Sequence, residues 1–416
     1  MTPIALVGGW TIAGSVLGSL LSVASSYSVT ADFPGGNIEV MAQNEHEFVL
    51  APDLRDTSPG RWWFYWNFDL RGPSGGIATI IFPGRDPIGV HGPALSEDGG
   101  ATWNWMGAGI VRDVIHAGGP ARAFNVTLPN HGEVGAKVRL AFGVPYVEQD
   151  LERFLQERRD ATILQEEVLA RSPQGLEVPL LRLGNLHRPE RVVLLAARHH
   201  SCEAMASFVL EGFMAEVLRE AGSEVDGPWR RWQLIVLPFM DRDGVEEGDQ
   251  GKARDPHDHN QDYSSSPLYV EIAALREAAR DFPAPVFVAL DLHCPWIRGG
   301  MHERIHLIGS PDPAMERAQI ALLEELASRE EGLPVSRDDL YRFGLGWNTK
   351  EKAPSFARWA ADVFPEAWLV STLEFPYASV SGRPVTPIDA REFGRDLARA
   401  LNLLSQKVSF PSVPAL

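Results

Sequence analysis

From residue 28 to residue 146 short apolar and aromatic runs alternate with clusters of turn residues. Residues 62–70 and 77–82 are rich in aromatic and β-branched side chains, and Gly35-Gly36, Gly72-Pro73 and Asp98-Gly99-Gly100 punctuate the stretch. Short runs at this spacing, broken by such turns, predict a β-sandwich, with further strands over residues 124–128 and 136–142. Beyond Tyr146 the period changes. Residues 147–156 have helical composition, and a hairpin is predicted with strands over 162–169 and 176–183. Apolar runs then alternate with amphipathic stretches: 192–197, 234–238, 286–290, 305–308 and 368–370. Runs without polar alternation fit strands buried on both faces. Within residues 203–221, Met205, Phe208, Val209, Gly212, Phe213 and Val217 share one helical stripe. Residues 268–282, 313–331 and 387–406 also read as helices, the last two opening on Pro. The pattern predicts an α/β domain over residues 147–410, with a mostly parallel or mixed central sheet flanked by helices, preceded by an all-β sandwich over 28–146.

Composition narrows the classes. Acids outnumber bases 55 to 38, for a net charge of −17, so the surface repels phosphate backbones and a nucleic-acid partner is not expected. With 44% hydrophobic and 22% charged residues, the chain is neither disordered nor polytopic. Residues 4–24 are apolar or small and lead into Ala24-Ser25-Ser26, so residues 1–27 read as a leader or signal peptide, although no Lys or Arg precedes Arg55. Cleavage there implies an exported or periplasmic protein; otherwise it is cytoplasmic. Gly8, Gly9, Gly14 and Gly18 weaken a spanning helix, and stable membrane insertion is not expected.

In open α/β sheets ligands bind beyond the carboxyl ends of the strands. Arg198-His199-His200-Ser201-Cys202-Glu203 follows the run 192–197, Asp291-Leu292-His293-Cys294 follows 286–290, and Ser371-Thr372-Leu373-Glu374 follows 368–370. Two His and one Glu with an open fourth position make a catalytic zinc site, and a second Glu can take a proton from water. His200 and Glu203 form an HxxE pair at a helix start. Each of these residues alone has an ordinary explanation: a helix cap, a core histidine, a sheet-end ion pair. Together, each at a strand end, they point to one metal site.

These residues, in this order, resemble the zinc carboxypeptidases, most closely the cytosolic-carboxypeptidase-like branch. The resemblance also rests on Asp241-Arg242-Asp243-Gly244-Val245, similar to the family's NPDGV, on Arg254 and on Asp258-His259-Asn260-Gln261. In the N-terminal half it rests on Phe33-Pro34-Gly35-Gly36-Asn37 and Trp63-Phe64-Tyr65-Trp66, and at the join on Pro145-Tyr146 and Asp150-Leu151-Glu152-Arg153-Phe154-Leu155. It covers residues 30–405. It implies one Zn²⁺ per chain held by His200, Glu203 and His293, with Glu374 as general base. Arg254 would polarise the scissile carbonyl, and Asn260 and Gln261 would face the terminal carboxylate of a peptide or protein-tail substrate.

One position departs from the family, which has Asn-Arg where this chain has Asn260-Gln261. A charge-assisted hydrogen bond contributes roughly 1.5–3 kcal/mol against about 1 for a neutral one. Either another cation anchors the carboxylate, with Arg298 and Arg304 as candidates, or the substrate ends otherwise, which makes a zinc amidase or deacylase the alternative. A third reading is a peptide- or glycan-binding protein using Trp62, Trp63, Trp66, Trp103 and Trp105, although these are expected to fill the sandwich core and the interface. The family's mobile tyrosine has no match; Tyr341 and Tyr377 read as rim or packing residues. His257 and His259 read as solvated loop or supporting histidines, Asp291 as a residue that orients His293 or caps the loop, and Cys202 and Cys294 as free buried thiols, or as a disulfide if the protein is exported.

Overall fold

The computed structural model describes residues 26–130, 135–223, 227–349 and 355–408. The leader predicted for residues 1–27 lies almost entirely outside them.

The strands up to residue 141 form two five-stranded sheets. One runs in the order Ser28–Thr30, Asn67–Gly72, Ala136–Ala141, Ala94–Ser96, Asn104–Trp105, and is antiparallel throughout. The other runs Glu39–Gln43, Glu47–Ala51, Ile77–Pro83, Gly119–Thr127, Arg112–His116. Phe68, Leu70, Val138 and Leu140 from the first sheet and Phe48, Leu50, Ile80 and Phe124 from the second share one buried core. Alternation along each strand puts these side chains inward. The aromatic run predicts that residues 62–66 continue the strand that ends near Leu70, but the strand begins only at Asn67. Aromatic composition suits a strand and a domain interface equally well, and here the interface prevails. Trp62, Trp63 and Phe64 pack around Trp296, and Phe64 meets Tyr377 edge-on. Trp66 is fully buried, and Trp105 donates its indole N–H to the Val385 carbonyl.

Apart from a two-stranded ribbon of Ser379–Val380 and Arg383–Pro384, the later strands among the described residues form one eight-stranded mixed sheet: β1 (Leu164–Arg171), β2 (Glu177–Gly184), β3 (Val192–Ala197), β4 (Gln233–Leu237), β5 (Val286–His293), β6 (His306–Ile308), β7 (Leu340–Tyr341) and β8 (Leu369–Glu374). Their spatial order is β1-β2-β4-β3-β5-β8-β6-β7. The central strands β4, β3, β5 and β8 are parallel, while β1, β2 and β6 pair antiparallel with their inner neighbours. β3, β4, β5 and β8 are buried along their whole lengths, including the polar residues that end β5 and β8, as their central place in the sheet requires. The helices α1 (Ala204–Ala221), α2 (Val270–Ala278), α3 (Pro313–Ala327), α4 (Phe356–Val363) and α5 (Pro387–Lys407) flank it. α1 and α5 cross backbone to backbone: a Cβ on Gly394 would lie 2.0 Å from the Val209 carbonyl oxygen. No helix among the described residues is long and apolar enough to cross a membrane.

Candidate metal centre and active-site cleft

Because β3, β5 and β8 run parallel, their carboxyl ends open on the same edge of the sheet. In-register neighbours lie about 4.8 Å apart and point to the same face. The ladder pairs His293 with Glu374, the last residues of β5 and β8, and β6 sets His306 against Glu374 from the other side. The third strand end turns sharply. Arg198 adopts φ 61°, and its buried guanidinium donates to the carbonyls of Ser201 and Tyr146 and to Ser207 Oγ. That clamp closes the turn so that His200 and Glu203 face His293. The loop after β4 supports the turn from behind: Ser201 Oγ donates to the Asp249 carbonyl, and Gly251 at φ 72° lies so close that a Cβ would stand 2.3 Å from the Ser201 nitrogen. Gln250 in the same loop exchanges two hydrogen bonds with the Tyr65 backbone, which fixes the sandwich to the site.

Three donor groups converge. His200 Nδ1 lies 3.0 Å from Glu203 Oε1, His293 Nδ1 lies 2.7 Å from Glu203 Oε2, and the two imidazole Nδ1 atoms are 3.1 Å apart. Glu203 is fully buried, yet Oε2 accepts no hydrogen bond. A buried carboxylate with one imidazole nitrogen at each oxygen, and with Oε2 lacking hydrogen-bond geometry among the described residues, fits a cation. Burial works to raise the Glu203 carboxyl, but Lys252, His293 and His200 outweigh it and hold it well below the usual carboxylate range. Burial likewise opposes charge on His293, while Asp291 and Glu203 raise it well above the usual imidazole value. A field that favours protons on these rings also favours a divalent ion, which displaces them. The donor set therefore suits zinc.

Behind the donors, Asp291 bridges two histidines: Oδ2 lies 2.6 Å from His293 Nε2 and Oδ1 lies 2.7 Å from His199 Nδ1. Burial opposes its ionisation, but His199 and His293 bring its pKa down to about 2. A carboxylate on the far ring nitrogen orients the ligand nitrogen. His199 Nε2 meets the Tyr263 hydroxyl at 2.7 Å, so both its ring nitrogens are engaged away from the cleft.

A cleft of about 1330 Å³ opens above the donors. His200, His293, Glu374, Arg254, Asn260 and Gln261 all line it. Glu374 is buried, with Oε2 lacking a hydrogen-bond partner. Arg254 reaches the cleft with its guanidinium already bound to Asp241 and, at 3.0 Å, to Asp249. Asn260 Oδ1 accepts the Phe356 N–H at 2.9 Å, and Gln261 donates its amide to Asp258 at 2.6 Å.

Arg298 and Arg304 are not brought to the cleft. Arg298 pairs with Asp86 of the sandwich at 2.7 Å and also bonds the Ile88 carbonyl; Arg304 pairs with Asp339 at 3.1 Å. Of the two expectations for the loop histidines, solvated or supporting, His259 departs from the first. His257 bonds Asp262, but His259 is buried and stacked 3.7 Å from the Tyr269 ring, and burial lowers its pKa to about 4. Tyr341 stands at the cleft rim stacked on Trp347, Tyr377 is buried in the interface, and Cys202 and Cys294 are free and buried. Lys252, His302 and His306, none of them singled out by the sequence, also line the cleft. For His306 the available signal is its place at the head of a strand run; for Lys252 it is only proximity to Arg254.

The buried acids around this loop make a testable statement about stability. Glu271, at the start of α2, is 2% exposed and its Oε2 has no partner. Burial, reinforced by Asp241 and Asp243, pushes its pKa up to about 7 from an ordinary 4.5. A folded pKa above the unfolded one gives stability that is fully present below pH 4.5 and lost as pH rises through 7. Glu271→Gln should therefore unfold like the wild type at acid pH and be more stable at pH 8, by about 3 kcal/mol at most. Denaturant titrations at both pH values measure this; equal stabilities at pH 8 would mean that the carboxyl ionises there without cost.

No family model matches the sequence, and no curated protein matches it. Among solved structures the chain is similar to a metallo-carboxypeptidase from Burkholderia cenocepacia, with a TM-score of 0.74 and 18% identity, covering 92% of this chain and 100% of that one. It is also similar to a metallo-carboxypeptidase from Pseudomonas aeruginosa in complex with (2-guanidinoethylmercapto)succinic acid, with a TM-score of 0.69 and 18% identity over 91% and 99% of the two chains. Two β-sheets preceding a mixed α/β sheet, over nine-tenths of the chain, give this protein the fold of those metallo-carboxypeptidases.

Proposed function

We propose that the protein is a zinc-dependent metallocarboxypeptidase of the cytosolic-carboxypeptidase-like branch, releasing a C-terminal or side-chain-linked amino acid from a peptide or protein tail. The observation that carries this reading is the convergence of His200, Glu203 and His293 beside Glu374 at the floor of one cleft. His200, Glu203 and His293 would hold the ion. Zinc, when bound, supplies Lewis acidity toward a carbonyl and makes water a stronger acid. Glu374 would take the proton from the attacking water on Oε2, which has no hydrogen-bond partner among the described residues, and pass it to the leaving amine. Arg254, held by Asp241 and Asp249, would place positive charge along the cleft where the carbonyl oxygen gains negative charge. The Pseudomonas aeruginosa protein binds a succinic acid derivative, and a carboxylate-bearing ligand there accords with a carboxylate-ended substrate here.

A second reading, a zinc amidase or deacylase on the same scaffold, is favoured by one observation. Gln261 is neutral and bound to Asp258, while Arg298 and Arg304 are paired elsewhere. Elemental analysis is expected to find one zinc per chain, and kcat/KM for paired peptides with free and amidated C-termini separates the readings. If a cation in the cleft replaces the family's arginine, free C-termini are cleaved and Gln261→Arg changes KM modestly. If none does, amidated peptides are cleaved at least as well, and Gln261→Arg improves carboxypeptidase activity by about tenfold per 1.4 kcal/mol gained. Identical preferences in both proteins would remove Gln261 from the substrate pocket. Absence of zinc, with no activity restored on adding it, would reject both readings.

A further inference from the structure

Lys252 is a cation at the metal-ligand carboxylate for which the proposed hydrolysis has no use. Its Nζ lies 2.6 Å from Glu203 Oε1 and donates to the Cys294 carbonyl at 2.8 Å; its side chain is 12% exposed, and Nζ lies 5.3 Å from the centre of the Trp63 ring. The Cys294 carbonyl belongs to the residue after His293, so the ammonium is anchored there independently of Glu203. The two oxygens of Glu203 are thereby made unequal. Oε1 is engaged by Lys252 and His200 Nδ1, whereas Oε2 faces His293 Nδ1 alone among the described residues. Arg254 cannot exchange places with Lys252, because its guanidinium is held by Asp241 and Asp249.

We propose that Lys252 is a positioning residue that engages Oε1, so that Glu203 gives the metal one oxygen instead of two. The inference rests on the reading of His200, Glu203 and His293 as metal ligands. A carboxylate with both oxygens free tends to chelate; a charge-assisted hydrogen bond to one of them competes with that. An ammonium on the far side of the ligand also withdraws electron density from it and repels the ion. Lys252 therefore leaves one more coordination position for water or substrate and makes the metal a stronger Lewis acid, at the cost of metal affinity. This gives a sign that an ordinary structural tie does not. Removing a supporting residue around a metal usually loosens the ion; removing Lys252 should tighten it.

The test uses the full chain loaded with zinc or cobalt(II). The wild type should show the intense visible absorption of four-coordinate cobalt. Lys252→Gln keeps a donor for the Cys294 carbonyl and removes the charge. It should bind zinc on the order of tenfold more tightly in competition with a chromophoric chelator. Its cobalt absorption should weaken as the coordination number rises, and kcat should fall with KM little changed. Lys252→Arg should restore the wild-type spectrum and affinity. A weak, five-coordinate spectrum in the wild type overturns the proposal without any variant. Zinc bound equally or more loosely by Lys252→Gln, with an unchanged spectrum, also overturns it. A wild type that takes up neither metal overturns the metal-site reading itself, so the two failures are distinguishable.

Discussion

Glu374→Gln is expected to keep its fold and its zinc and to lose turnover by roughly 10²–10⁴-fold, the contribution of a positioned general base. The substitution is nearly isosteric. Oε2 of Glu374 has no hydrogen-bond partner among the described residues, so no native bond is broken there. The carboxylate stands beside His293 in register but outside the group formed by His200, Glu203 and His293, so metal content should not change. What the amide lacks is the ability to accept a proton from water. The loss should fall on kcat, because a group acting only in the transition state leaves ground-state binding intact. Steady-state kinetics alongside elemental analysis and circular dichroism check it. Near-native turnover in a zinc-loaded, folded variant would take the base assignment away from Glu374.

The second large effect concerns the metal. His293→Ala should reduce bound zinc from one per chain to a small residue, while His257→Ala should retain it. His293 Nδ1 is close to both other donors, and its Nε2 is held by Asp291, so one substitution removes a ligand and its orienting contact. His257, though in the loop with Asp258 and Asn260, bonds Asp262 and belongs neither to the group of His200, Glu203 and His293 nor to the other cluster that could hold an ion among the described residues, His199, Asp291 and His293. The fold should survive His293→Ala, because Asp291 keeps its bond to His199; leaving Oδ2 unpaired costs about 1–3 kcal/mol. Metal content after dialysis against trace zinc, normalised to folded protein, is the measurement. Equal zinc in the two variants would dissolve the proposed ligand set.

The layered arrangement is legible in the sequence because burial leaves a mark on composition. Residues 192–197 read as a strand buried on both faces, and β3 occupies those positions with every residue buried. The strands carrying His293 and Glu374 read too short, since an apolar run stops at its first polar residue while the hydrogen-bond ladder does not. The candidate donors and Glu374 lie at or just beyond those visible ends, which is why a sequence reading picks them out together. Pairings across long stretches of chain are not legible. Nothing near Arg298 indicates that Asp86, 212 residues earlier, claims its charge. His259 sits in a polar loop, yet a ring from α2's cap, Tyr269, covers it. Lys252 is invisible for the same reason: its partners, Glu203 and the Cys294 carbonyl, come from two other strand ends.

One side of the cleft entrance is formed by Ser58 and Arg61, on a segment of the N-terminal half that carries no metal donor and no proton-transfer group. The donors and Glu374 are all set by the carboxyl ends of β3, β5 and β8. That part of the cleft wall and the candidate donors thus come from separate stretches of chain. Substitutions at residues 58 and 61 would therefore reshape that wall while His200, Glu203, His293 and Glu374 keep their places.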